Sequence, residues 1–151
     1  MALQEKIDQD IKAAMLAKDN TRLRGLRAIK AAILLAKTEK GPAETLTEDT
    51  EVKVLQKLAK QRRESAEIYQ QQKRDDLYQI EMEELTVIES FLPKQLSREE
   101  VESIVKQLIS ETGATDPKDM GKVMGLANQK LAGKADGKTI SEIAKMLLAG
   151  N

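Results

Sequence analysis

Asp119-Met120-Gly121-Lys122-Val123-Met124-Gly125, residues 119 to 125, sets the fold class because it reads as a helix despite two interior glycines. Met120, Val123, Met124, Ala127 and Leu131 recur at helical spacing and make one apolar stripe, with the two methionines read as core. Asp116-Pro117 before it supplies an N-cap with proline at the first helical position, and Gly133 after it supplies a stop. Each interior glycine costs a helix about 1 kcal/mol relative to alanine, so an offsetting role for the bare backbone is expected.

The same period runs outward in both directions. Ser97 and Glu100 form a capping box ahead of Val101, Ile104, Val105, Leu108 and Ile109, with Gly113 placed to end that helix. Ile140, Ile143, Ala144, Leu147 and Leu148 mark the last helix. Upstream, Leu3, Ile7, Ile11 and Met15 predict a helix over residues 3–18. Asp19-Asn20-Thr21 breaks it, and a second helix follows with Leu23, Leu26, Ile33 and Leu34 inward. A loop is expected over 40–47. Thr47 caps a long third helix to about Gln72 with Leu55, Leu58, Ile68 and Tyr69 inward. A fourth helix carries Leu77, Ile80, Leu85, Ile88 and Phe91 and stops before Pro93. The expectation is an all-α protein of two helical subdomains: about four helices over residues 1–93 and a three-helix unit over 94–151.

Composition agrees with this class and excludes several chemistries. Of 151 residues 33% are charged and only 2% aromatic. With neither cysteine nor histidine there is no disulfide framework, no thiolate or imidazole metal site, and no serine–histidine or cysteine–histidine catalysis. Formal net charge is zero, so anion binding has to come from local arrangement. No apolar run reaches spanning length and no leader pattern opens the sequence, so a cytoplasmic location without membrane contact is expected. Neither a metal nor a cofactor is expected, and scarce aromatics argue against stacking on single-stranded bases.

On a wheel begun at Lys118, Lys118, Lys122, Gly125 and Gln129 fall within about 60° of one another, opposite the apolar stripe, with Gly121 beside them and Lys130 on the flank. Bare backbone among lysines suits a phosphate chain; the competing reading is close helix packing at the glycines. Lys134 and Lys138 follow at the next helix's start, where free backbone N–H groups add anion affinity. A second basic surface is read from Arg22, Arg24, Arg27 and Lys30, within a segment of seven basic and two acidic residues from Lys18 to Lys40. Pairing of these cations with acids such as Glu81, Glu83 and Glu84 is the other reading, and the preferred one. The carboxylates of the fourth helix form no catalytic or metal motif.

Leu92-Pro93-Lys94-Gln95-Leu96, Asp119-Met120-Gly121-Lys122-Val123-Met124 and Gly133-Lys134-Ala135-Asp136-Gly137-Lys138, in that order, resemble the YqeY family of the GatB/YqeY superfamily. Lys60, Arg62-Arg63-Glu64-Ser65 and Asp76-Leu77 fit the family's N-terminal half, so the resemblance spans nearly the whole chain. It implies a tail unit similar to that of the tRNA-dependent amidotransferase B subunit, which contacts tRNA. The tail motif falls on Gly121, Lys122, Gly125, Lys130, Gly133 and Lys134. A tRNA-binding or amidotransferase-associated accessory protein without its own catalytic site, and with no DNA partner, is therefore expected. A protein–protein adaptor using the glycine patch is the alternative. A carbon–nitrogen ligase using glutamine as amido donor is a further activity that the resemblance implies.

Overall fold

Ala17-Lys18-Asp19 and Gln72-Lys73-Arg74 make the same turn, and that turn builds both helix hairpins of the N-terminal half. In each, the middle lysine is left-handed, with φ of 58° at Lys18 and 57° at Lys73. In each, the third residue's N–H donates five residues back: Asp19 to Ala14 O and Arg74 to Tyr69 O, both at 2.9 Å. This double hydrogen-bonded stop satisfies the orphan carbonyls of the preceding helix. The computed structural model describes residues 2–41 and 46–150.

The chain divides into two compact units, Met1–Leu92 and Pro93–Asn151. Among the described residues there are seven α-helices and no strand: α1 (Leu3–Leu16), α2 (Asn20–Lys40), α3 (Glu48–Gln71), α4 (Asp75–Glu89), α5 (Arg98–Thr112), α6 (Met120–Lys130) and α7 (Gly137–Ala149). The fold is all-α. Among the described residues no helix is long and apolar enough to cross a membrane. The loop expected over 40–47 lies partly outside the described residues, since 42–45 are not among them.

In the first unit α1 packs on α2, and α3 packs along α4, with α2 lying against both α3 and α4. Its core holds Ile7, Leu26, Ile29, Ile33, Leu55 and Ile88. The apolar stripes expected from spacing need correction at four positions: Met15, Leu34, Ile68 and Ile80 are exposed. Their places inside go in large part to small residues that spacing alone underrated, Ala14, Ala59 and Ala66, each at most 3% exposed. Alanine lets long helices approach closely and shifts which flank faces inward.

The second unit is three helices in mutual contact. Val105, Val123, Ala127, Leu131, Ile143 and Leu148 form its core, with Met120 and Met124 packed against it as read from the sequence. Ser97 Oγ accepts from Glu100 N at 3.2 Å, as its capping box requires, and Gly113 ends α5 with φ of 70°. Asp116-Pro117 opens a single 3-10 turn, Pro117–Asp119, and the α-helix begins only at Met120.

Candidate nucleic-acid interface

Helix α6 buries Val123 and Ala127, with Leu131 buried at its C-cap, and turns its opposite side to water. A β-carbon built on Gly121 or Gly125 would meet nothing within 4 Å, and both residues are exposed. Within their unit these glycines therefore do not serve helix packing. Asn128, one turn beyond Gly125, is exposed too and continues the same side of α6 with a short amide side chain. The open track is thus a turn longer than the two glycines suggested, and it ends on a polar group. Its signal was in the sequence, three positions beyond Gly125.

Lys122 and Gln129 border this track, and Leu126, 37% exposed, lies beside Lys122. Lys118 needs a correction of angle rather than of exposure. It belongs to the 3-10 turn, which advances about 120° per residue, so an α-helical wheel begun at Lys118 misplaces it. Lys130 ends α6, and Lys134 and Lys138 follow, all exposed. Among the described residues none of these five lysines takes part in an ion pair. Two of the acids near them act as helix caps, Asp116 Oδ1 accepting from Lys118 N at 3.0 Å and Asp136 Oδ1 from Lys138 N at 3.4 Å, while Asp119 Oδ2 accepts from Thr115 N at 3.2 Å. Free backbone N–H groups at the start of α7 were expected to add anion affinity. The Asp136 carboxylate already occupies one of them, that of Lys138.

Gly133 also departs from the expected contact role. It is buried, with φ of 76°, and its carbonyl accepts from Gln95 Nε2 at 2.7 Å. The left-handed turn accounts for its glycine identity. Leu96 N–H donates to Lys134 O at 2.9 Å beside it. Gln95 and Leu96 thus fasten the loop that presents Lys134, across a sequence separation of 38 for the Gln95 contact. Such separation gives no local signal, and sequence reading missed both as supports of this loop.

The second basic surface expected on α2 comes out differently. Arg22 lies 3.5 Å from Asp10, Lys30 2.8 Å from Asp8, and Arg24 2.9 Å from Glu83 and 3.3 Å from Glu84. Arg62 on α3 reaches Glu84 at 2.7 Å and Glu81 at 3.7 Å, and Arg63 reaches Glu89 at 3.3 Å. Three of the four residues named for that surface are neutralised within the unit, and Arg27 alone of them stays exposed without an ion pair among the described residues. The pairing reading is the one these distances match. Burial pushes the Glu81 carboxyl above its ordinary value, with Glu84 adding to the rise and Arg62 opposing it. No group of three or more acidic residues among those described is placed to hold a metal ion.

Residues 4–148 match the family described as Yqey-like protein. Three fungal proteins, each named "Altered inheritance of mitochondria protein 41, mitochondrial", are similar to this chain. That of Clavispora lusitaniae is 34% identical over 134 residues, covering 87% of this chain and 77% of the relative. That of Kluyveromyces lactis is 31% identical over 137 residues, covering 89% and 69%. That of Meyerozyma guilliermondii is 29% identical over 147 residues, covering 95% and 75%. The expectation of a cytoplasmic location is corrected by these names, every one of which reads mitochondrial.

Proposed function

The chain belongs to the Yqey-like family, and from that premise we propose that it is an RNA-binding accessory protein that grips tRNA with the outward side of α6. One observation carries the reading: five exposed lysines around a helical track bare of side chains in the second unit have no ion pair among the described residues. Lys118, Lys122, Lys130, Lys134 and Lys138 supply point charges for phosphates. Gly121 and Gly125 let a sugar-phosphate backbone come close, and the Asn128 amide at the end of the track is a donor for a phosphate or sugar oxygen. Recognition of this kind reads shape and backbone rather than base edges. Association with an amidotransferase is the corresponding partner class.

Filter binding to bulk tRNA tests the reading. With about three phosphate contacts, affinity should fall tens of fold between about 50 and 200 mM salt. A Lys122→Glu/Lys130→Glu variant should lose most of that binding. Absent or salt-insensitive binding would reject RNA as the target, and an unaffected double variant would reject this site.

The exposed Leu126 beside Lys122 favours a second reading, in which the same track receives a partner helix. Gly125→Leu should then abolish a protein pull-down and leave tRNA binding intact.

A further inference from the structure

Along the first unit an open groove runs between the C-terminal half of α2 and the N-terminal half of α3. Its apolar floor is made by Ala32, Leu35, Ala36, Val54 and Leu58. Leu35 is 63% exposed and its neighbour Leu34 48%, on a helix whose Leu26, Ile29 and Ile33 are almost fully buried. Two adjacent leucines left to water at the edge of an apolar trough are a surface awaiting cover.

The lip on α3 shows what would cover it. Lys57 lines the trough, and Lys53 and Lys60, four residues before it and three after on the same side of α3, are exposed with it. None of them has an ion pair among the described residues, and Glu39, which lines the trough from α2, is exposed and has none either. We propose that this groove docks an amphipathic helix of a partner protein, apolar at i, i+3 or i+4 and i+7, with carboxylates along the edge that meets Lys53, Lys57 and Lys60. The floor selects a helix over a phosphate chain, because five apolar side chains offer RNA nothing to bond. Three cations on the α3 side against Glu39 on the α2 side select an acidic edge where the partner meets α3. The trough and the α6 track belong to different units of the chain, so this docking stands or falls independently of RNA binding.

The test titrates the full chain with two dye-labelled synthetic amphipathic helices of roughly 15 residues, long enough to hold helical structure once docked. Both carry the same leucine face; one is flanked by glutamates, the other by lysines. The glutamate-flanked peptide should bind saturably, about tenfold or more tighter than the other, as complementary charge requires. Leu35→Glu should abolish that binding, Lys53→Glu/Lys57→Glu should erase the preference between peptides, and Lys122→Glu/Lys130→Glu should change neither. Leu35 and both lysines are exposed, so unchanged thermal melts are expected to show that each variant folds. Equal binding of the two peptides, no saturable binding, indifference to Leu35→Glu or displacement of the peptide by bulk RNA would overturn the proposal. So would a concentration-dependent dimer that Leu35→Glu dissolves, since the cover would then be a second copy of this chain.

Discussion

A β-carbon added to Gly25 would lie 2.7 Å from the β-carbon of Val87. Gly25 is buried in α2 and Val87 in α4, so the two helices meet there at a separation that leaves no room for a methyl group. Val87 is branched at the point of contact and cannot swing clear. Gly25→Ala should therefore destabilise the first unit by about 1–3 kcal/mol. It should appear as a lower urea midpoint with an unchanged slope. Gly25→Ala/Val87→Gly, which removes the β-carbon that is struck, should show favourable coupling between the two changes, and strict additivity would refute the contact.

Gly121 and Gly125 should respond in the opposite sense. Open space surrounds both, so Gly121→Ala and Gly125→Ala remove the helix penalty without a clash and should each stabilise the second unit by about 0.5–1 kcal/mol. If bare backbone serves binding, the same changes weaken tRNA affinity while raising the melting temperature. Such an opposition marks a functional site retained at the expense of stability. A stabilised variant with full tRNA affinity would remove the glycines from the proposed interface.

Lys18 and Lys73 hold left-handed backbone conformations that glycine adopts freely. The strain of a side chain there is about 1 kcal/mol or more, and glycine's greater freedom in the unfolded chain offsets part of it. Lys18→Gly and Lys73→Gly should each raise stability by about 0.5 kcal/mol. Because the turns are equivalent, the two effects should be similar and should add, which differential scanning calorimetry on the single and double variants can read. Destabilisation by either change would mean that the lysine charge at the helix C-terminus outweighs the strain.

Glu81 gives a pH dependence with a definite sign. Desolvation raises its folded pKa above the ordinary 4.5, so folding favours the neutral form. Its contribution to stability is fully present below the unfolded value and is lost as pH rises through the raised folded one. Arg62 does not depend on Glu81, since its nearer partner is Glu84 at 2.7 Å. Glu81→Gln, a permanent neutral form, should thus match or exceed the parent chain in stability at pH 7. The two should converge as pH falls through the unfolded value. Urea denaturation across that range decides it, and a variant weaker at pH 7 but equal in acid would show that the charge helps the fold.

Capping and stop chemistry was legible because it is local. Ser97 with Glu100, Thr47 and Gly113 each act within a few residues, and the structure has all of them where the sequence put them. Side chains whose inward or outward place depends on a distant neighbour were not legible. Ile68 and Leu34 continue an apolar period yet face water, because a long helix meets different partners along its length. On the candidate interface the open glycines were anticipated, whereas the burial of Gly133 was not, because its partner Gln95 is distant in sequence.

Gln95 is the support whose removal should show how that loop is held. Its side-chain amide donates to Gly133 O at 2.7 Å and to Pro93 O at 2.9 Å, tying the start of the second unit to the turn that presents Lys134. Gln95→Ala leaves the Gly133 carbonyl without this donor in a partly buried position, which should destabilise the unit by about 1 kcal/mol. Leu96 N–H still donates to Lys134 O, so the turn loosens rather than opens. Amide exchange should accelerate at residues 133–135 and stay unchanged in the middle of α6, around Val123 and Ala127. Gln95→Glu is the sharper control, since a carboxylate facing a carbonyl oxygen replaces the bond with repulsion and should accelerate exchange further. Uniform acceleration across the whole unit in both variants would mean that Gln95 supports the fold at large and not this loop.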